Sequence, residues 1–281
     1  MNADPIQITT GQNGLTKIVL SAAGAHAEVY PHGAHITSWI PASGQERMYL
    51  SGAAEFNPTS TIRGGVPVIF PQFGDGPLPK HGFVRRMDWD YIPAESTPGT
   101  ACARFRLSDS PASRELWPFA FTCELSVSLS AQSLEMTLHV HNPGAQAFSF
   151  TAGLHTYLSV ADIRETVVTG LAGAPYLDTV GPRTERTQNE VDLSFDKEVD
   201  RIYWNVTQSL SVREKNRALT IQNSGFPHAV VWNPWIAKSA TLTDMQAQDY
   251  LGMVCVEAVA TGQPVTLQPQ ANWTGSQRLT A

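Results

Sequence analysis

Leu125, Val127 and Leu129, then Leu134, Met136, Leu138 and Val140, place an apolar residue at every second position on both sides of a short polar connection, Ala131-Gln132-Ser133. Side chains alternate faces along a strand, so this stretch is a β-hairpin with one buried face. A helix would need apolar residues at i, i+3, i+4 and i+7, and no helix-length segment keeps that spacing. The 21 glycines and 19 prolines recur at short intervals, which suits short strands joined by many turns. Further strands are expected at Lys17–Leu20, Ala27–Tyr30, Ala103–Leu107, Phe148–Phe150, Ala218–Ile221, Ala229–Trp232 and Gly252–Ala258. So many strands without intervening helices predict an all-β fold, a large antiparallel sandwich. With no repeat, low-complexity tract or dividing linker, residues 1–281 read as one domain.

Composition narrows the partners. A net charge of −6 with 42% hydrophobic residues describes an ordered, weakly acidic globular chain, which argues against nucleic acid and against an anionic membrane as partners. No apolar run reaches the length of a spanning helix. The start, Met1-Asn2-Ala3-Asp4-Pro5, has neither the basic flank nor the apolar stretch of a secretory signal. Cys102, Cys123 and Cys255 form no CxxC pair and leave one over, so buried reduced thiols in a cytoplasmic protein are expected rather than a disulfide framework.

Three places carry chemistry. In Leu251–Ala260 both alternating faces are apolar except for Glu257, so a carboxylate sits inside a fully buried strand. An unpaired buried carboxylate is costly; Glu257 must be paired with a cation, held protonated, or opened onto a polar cleft. In Thr151–Leu158, Leu154, Thr156 and Leu158 share one parity while His155 and Tyr157 share the other, which turns the imidazole away from the leucines. His155 is then either a satisfied histidine or a functional one, whereas His139 and His141 fall on the polar parity of the hairpin and face solvent. Between Arg63 and Arg86, four cations (Arg63, Lys80, Arg85 and Arg86) outnumber Asp75 inside an acidic chain. Lys80-His81-Gly82-Phe83-Val84-Arg85-Arg86 gathers donors that could hold an anion, arginine especially, because its guanidinium grips phosphate or carboxylate through two parallel hydrogen bonds. This window belongs to a long irregular region, Ser51–Leu78 and beyond, of the kind that is functional or caps a site.

Other signatures are missing. There is no GxGxxG, Walker loop, HExxH or GxSxG, which removes support for nucleotide binding and triad hydrolysis. His32-Gly33-Ala34-His35 offers two imidazoles for a metal without a third ligand nearby. Trp232 and Trp235 could stack on a sugar or fill the core.

Taken together, these segments resemble the aldose 1-epimerase superfamily, and within it the hexose-6-phosphate mutarotase branch. The carriers, in order, are Ile62–Pro67 with Phe70–Gly74, Lys80–Arg85, Trp117-Pro118-Phe119, Gly153–Tyr157, Asp200–Tyr203, Val231–Trp235 and Cys255-Val256-Glu257. The resemblance implies a β-sandwich of the galactose-mutarotase type, a sugar cleft on one sheet, and no metal or organic cofactor. It also implies Glu257 as general base, His155 as general acid, and Arg63, Arg85 and Asp200 as substrate-binding residues, with Lys80 and His81 beside them. Lys80 stands where some relatives carry glutamine. The implied activity is the interconversion of α and β anomers of hexose 6-phosphates, glucose 6-phosphate first, by a monomer. The alternatives are a neutral-sugar mutarotase and a non-catalytic sugar-binding or sugar-sensing module. A carboxylate close to His155 is expected to favour the protonated imidazole near neutral pH.

Overall fold

A computed structural model describes residues Asp4–Ala281; Met1-Asn2-Ala3, the start of the segment read as lacking a secretory signal, lie outside them. The hairpin forms as its alternation requires. Strands Thr122–Leu129 and Ser133–His141 pair antiparallel with Leu125 opposite Leu138 and Val127 opposite Met136, and the apolar parity is buried throughout. They lie within a nine-stranded antiparallel sheet that runs from Asp192–Leu193 through Val167–Thr169, Leu210–Arg213, Ala218–Ser224, Asn272–Thr280 and the hairpin to Ala101–Ser108 and Asp90–Pro93. His139 and His141 sit on the half-buried outer parity.

A second, eight-stranded sheet runs Thr184–Thr187, Pro175–Asp178, Val199–Tyr203, His228–Asn233, Met253–Leu267, Phe148–Leu154 and Val68–Ile69, with Tyr157–Ser159 also paired to Met253–Leu267. A four-stranded meander, Ile6–Thr10, Thr16–Ala22, Ala25–Tyr30 and His35–Ile40, adds a smaller layer. One apolar cluster joins all three, drawing Leu20 and Trp39 from the meander, Leu125 and Leu138 from the nine-stranded sheet, and Val256 and Ala258 from the eight-stranded one. The protein is therefore an all-β antiparallel sandwich. Helix is confined to Pro111–Leu116 and Trp235–Ser239 and a few single turns. The first starts where Ser110 and Ser113 exchange side-chain-to-backbone hydrogen bonds and Pro111 presets the first turn.

Met253–Leu267 is the central strand of the site-bearing sheet, and its first half is buried on both faces, as its sequence requires. Val254, Val256, Ala258 and Ala260 turn toward the inter-sheet core, while Met253 and Cys255 pack on the other side against Tyr49, Tyr157 and Met245. Glu257 shares the parity of Met253 and Cys255, so its carboxylate projects from the sheet's far face. Beside it the neighbouring strand breaks at His155 and Thr156. The break is pinned across the layers: Thr156 Oγ1 donates to Gln277 Oε1 at 2.5 Å, and Gln277 Nε2 donates to the Val256 carbonyl at 3.2 Å.

The loop that carries Arg63 reaches the sheet through close backbone contacts. Gly65 has φ +58°, and a Cβ there would lie 2.0 Å from the Ile36 carbonyl oxygen. Both the conformation and the space demand glycine. Gly65→Ala is expected to lower stability by more than about 1 kcal/mol and to loosen the Arg63 loop, seen as a lower midpoint in urea unfolding with an unchanged slope.

Candidate active site

Strand register brings together residues a hundred positions apart. Leu154 pairs with Ala258 and Tyr157 with Cys255, so His155 falls at the position opposite Glu257, and His155 Nε2 lies 3.4 Å from Glu257 Oε1. On the other side of the central strand Val230 pairs with Glu257 and Trp232 with Cys255, and one strand further Asp200 pairs with Trp232. Cross-strand partners share a face, so Asp200, Trp232, Cys255 and Tyr157 form one row and Ile202, Val230, Glu257 and His155 the next. At about 4.8 Å per strand and about 3.3 Å per residue, two strands over and two residues along, the Asp200 backbone stands roughly 12 Å from that of Glu257. Trp232 is half-buried, with its ring edge-on to His155 and Tyr157, so it lines the site instead of filling the core; Trp235 packs against Tyr250.

Burial sets the charge of the pair. His155 is 8% exposed and Glu257 2%. Burial pushes the Glu257 carboxyl well above the usual carboxylate range, and the nearby Asp200 pushes in the same direction. Burial likewise pushes His155 well below the usual imidazole value, reinforced by His81, Arg63 and Arg85. The expectation of a protonated His155 is thus corrected. Desolvation, with His81, Arg63 and Arg85, works against the imidazolium that the neighbouring carboxylate was expected to favour, and the same burial favours the neutral form of Glu257. Glu257 Oε2 and His155 Nδ1 are buried without a hydrogen-bond partner among the described residues. Tyr157 stacks on the imidazole at 4.7 Å, and His81 meets it edge-on at 5.5 Å. The Gly74 N–H donates to His81 Nδ1 at 3.2 Å, which leaves Nε2 as the protonated nitrogen of a neutral ring held down to about 3 by burial and by Arg85 and Lys80.

The basic window closes over this face. Arg63 donates through Nη1 to the Tyr157 hydroxyl at 2.9 Å and pairs through Nη2 with Asp244 at 2.9 Å. Burial opposes its charge, but Tyr157 and Asp244 more than compensate and hold the guanidinium above its ordinary value. Arg85 is lowered to about 10 by burial and by Arg86, and is held by a 2.7 Å bond from Nη2 to the Lys80 carbonyl. Arg63, Arg85 and Arg86 line one pocket together with Thr59, Ser60, Thr61, Thr241, Thr243 and Asp244, and Tyr157 and Pro67 connect it to the His155 side. Lys80 itself is at the rim, with its side chain 61% exposed and 3.5 Å from Asp75; within the fold its main-chain oxygen does more than its ammonium. Burial raises the Asp200 carboxyl.

The structure therefore gathers His155, Glu257, Arg63, Arg85 and His81 closely, with Asp200 on the facing part of the sheet and Lys80 at the edge. Sequence reasoning gave no role to Tyr157, Asp244 or the five hydroxyl-bearing residues of the pocket. Tyr157 shares the parity of His155, a usable signal, but nothing local marks Asp244. His155, Cys255 and Glu257 place an N, an S and an O within 4.8 Å of one another, a donor set that could converge on a metal ion such as zinc. His32 and His35 are not such a set: His32 bonds Asp88 at 3.0 Å and the Ser60 carbonyl at 2.9 Å, and His35 Nε2 bonds the Gly64 carbonyl at 2.8 Å. Both histidines buttress the Arg63 loop. Cys102, Cys123 and Cys255 are free thiols, and among the described residues no helix is long and apolar enough to cross a membrane.

The sequence matches the aldose 1-epimerase family over residues 16–280, and the chain belongs to that family. A protein of Cenchrus ciliaris provisionally named glucose-6-phosphate 1-epimerase is 36% identical over 281 residues, covering 96% of this chain and 85% of the relative. A protein of the same provisional name from Escherichia coli K12 is 31% identical, covering 94% of this chain and 90% of the relative. The crystal structure of a provisionally named mutarotase from Salmonella typhimurium superposes with a TM-score of 0.91 at 28% identity over 99% of this chain and 94% of that one. The structure of a galactose mutarotase related enzyme from Lactobacillus acidophilus shares the fold at 17% identity, with a TM-score of 0.73 over 94% of this chain and 96% of that one.

His35 makes the Arg63 loop acid-sensitive. Burial lowers its pKa from 6.5 to about 4, so between those values the unfolded chain binds a proton that the folded chain refuses. Its contribution is intact above pH 6.5 and is lost as pH falls toward 4. The fall in thermal midpoint between pH 7 and pH 5 is expected to be smaller in His35→Gln, which can still donate to the Gly64 carbonyl but does not titrate. An equal fall in both proteins would assign the acid sensitivity elsewhere.

Proposed function

We propose that this chain is a mutarotase of hexose 6-phosphates, with glucose 6-phosphate the first candidate substrate, and that Glu257 and His155 carry the proton transfers. The observation that bears most weight is the 3.4 Å approach of His155 Nε2 to Glu257 Oε1 on a sheet face roofed by Arg63 and Arg85. The names of the relatives from Cenchrus ciliaris and Escherichia coli support the same substrate.

Anomer exchange needs one group to take the proton of the C1 hydroxyl while another gives a proton to the ring oxygen. The C1–ring-oxygen bond breaks, the open chain rotates about C1–C2, and the ring recloses with the proton roles reversed. A pair sharing one proton supplies both functions. Burial favours the proton on Glu257; when the sugar's hydroxyl donates to the otherwise unpartnered Glu257 Oε2, the carboxylate form is stabilised and the proton passes to His155. Glu257 then acts as base and His155 as acid, each worth about 10² to 10⁴ in rate. On the return half-cycle Glu257 gives its proton back to the carbonyl oxygen and His155 takes that of the C5 hydroxyl, which restores both groups.

Positioning falls to the surrounding residues. Arg63 and Arg85, with Arg86 behind them, hold the phosphate, where bidentate guanidinium bonds are strongest. Asp200 accepts from sugar hydroxyls on the far side of the cleft, and His81 Nε2 and the Lys80 ammonium are donors at its near edge. The free thiols, Cys123 and Cys255 buried and Cys102 partly so, suit a reducing, cytoplasmic setting, and the continuous core suits one domain.

Glu257→Gln is expected to fold normally and to slow glucose 6-phosphate mutarotation by about 10²-fold or more above the spontaneous background, followed by polarimetry or exchange NMR. A folded variant with undiminished turnover would remove Glu257 from the base role. Arg85→Ala is expected to raise KM for glucose 6-phosphate about tenfold or more while changing that for glucose little, because a charge-assisted bond to phosphate is lost. Equal losses on the two sugars would mean that Arg85 is structural and not a phosphate contact.

A further inference from the structure

The anion pocket already contains an anion of its own. Asp244 Oδ2 sits 2.9 Å from Arg63 Nη2, on the pocket wall shared by Arg63, Arg85 and Arg86, and its negative charge is felt at Arg85 as well. The carboxylate is held there by a fixed loop. On its C-terminal side Asp249 accepts from the Tyr49 hydroxyl at 2.6 Å, from the Ser51 hydroxyl at 3.0 Å and from the Gln246 N–H at 2.8 Å. Ser239 Oγ donates back across the loop to the Gln246 carbonyl at 3.3 Å, and Met245, next to Asp244, is buried against Tyr49 and Tyr157.

The phosphate of the proposed substrate needs the same guanidinium donors. Arg63 has Nη1 engaged by Tyr157, Nη2 engaged by Asp244, and Nε buried without a partner among the described residues. A phosphate approaching Arg63 and Arg85 meets a carboxylate of like sign that already occupies one of their donors, and two anions a few ångströms apart in a half-buried pocket repel. We propose that Asp244 is a counter-anion that sets the affinity of the pocket for phosphate. It holds Arg63 in place when the pocket has no phosphate, and it is displaced from Nη2 when the phosphorylated sugar binds, so that it weakens the affinity for phosphate as such and limits inhibition by free inorganic phosphate. The inference rests on the phosphate assignment of the preceding section.

Wild-type protein and Asp244→Asn are compared for mutarotation of glucose 6-phosphate and of glucose, with inorganic phosphate as inhibitor, and phosphate binding is measured directly by calorimetry. In the variant, KM for glucose 6-phosphate and the inhibition constant of inorganic phosphate are expected to fall together by about three- to tenfold, the range of a partly exposed charge interaction. Asp244→Glu, which keeps the charge, is expected to stay within about twofold of wild type for phosphate binding and controls for disturbance of the loop. Unchanged or weakened phosphate binding in Asp244→Asn would overturn the proposal, because the carboxylate would then be orienting Arg63 for phosphate or standing apart from it. Failure of the underlying reading has a separate signature: wild-type protein that neither prefers glucose 6-phosphate to glucose nor binds inorganic phosphate would remove the phosphate site, and this inference with it.

Discussion

The site depends on a carboxylate placed in a strand that has no polar face. Met253–Leu267 is covered on both sides through its first eight residues, and Glu257 is the one ionisable group apart from the Cys255 thiol along that stretch. Removing it from water holds its proton at a pH where an exposed glutamate has none. The same burial lowers His155, so the carboxyl and the imidazole, ordinarily at 4.5 and 6.5, shift in opposite directions. On the proposed reading, a carboxyl and an imidazole 3.4 Å apart suit a reaction whose reverse uses the same two groups in exchanged roles.

On the proposed reading, the rest of the site holds either that pair or the far end of a substrate. The strand break at His155 and Thr156 is locked from behind by Gln277 of the opposite sheet, so the imidazole direction is fixed by the sandwich core and not by its own strand alone. Trp232 and Tyr157 wall the pair with apolar rings that deepen its desolvation. The arginines arrive from loops instead of strands, and those loops are tied down by main-chain contacts at Gly65, by His35 and by the Lys80 carbonyl. On the proposed reading, the sheet carries the reacting groups and anchored loops carry the charge that selects the substrate.

Much of this was legible in the chain, and the parts that were not share a cause. Period-two alternation located the hairpin because burial of one face leaves a mark at every second residue, and an unbroken apolar run located the central strand because both of its faces are covered. The same parity rule separated His155 and Tyr157 from Leu154 and Leu158. Glu257 stood out because a charge within an apolar run has to be explained. The protonation of His155 was misjudged: one neighbouring carboxylate was weighed, whereas desolvation and the approach of Arg63, Arg85 and His81 depend on the folded surroundings. His32 and His35, two imidazoles at close spacing without a third ligand nearby, fold as separate hydrogen-bond partners of the Arg63 loop. Asp244 left no trace, since an aspartate in a polar loop looks the same whether it faces water or a guanidinium.

What the sequence determined by itself was the set of local constraints: which residues alternate, which turns need glycine, which charge is forced inside, and the order of motifs that resembles the aldose 1-epimerase superfamily. Only the tertiary structure decided distances and dielectric. The register that sets His155 opposite Glu257, the layer that pins it from behind, and the loop that brings Asp244 to Arg63 all join residues far apart along the chain. Proton affinity follows from how much water those joined surfaces exclude, a property of the packed molecule that no single segment possesses.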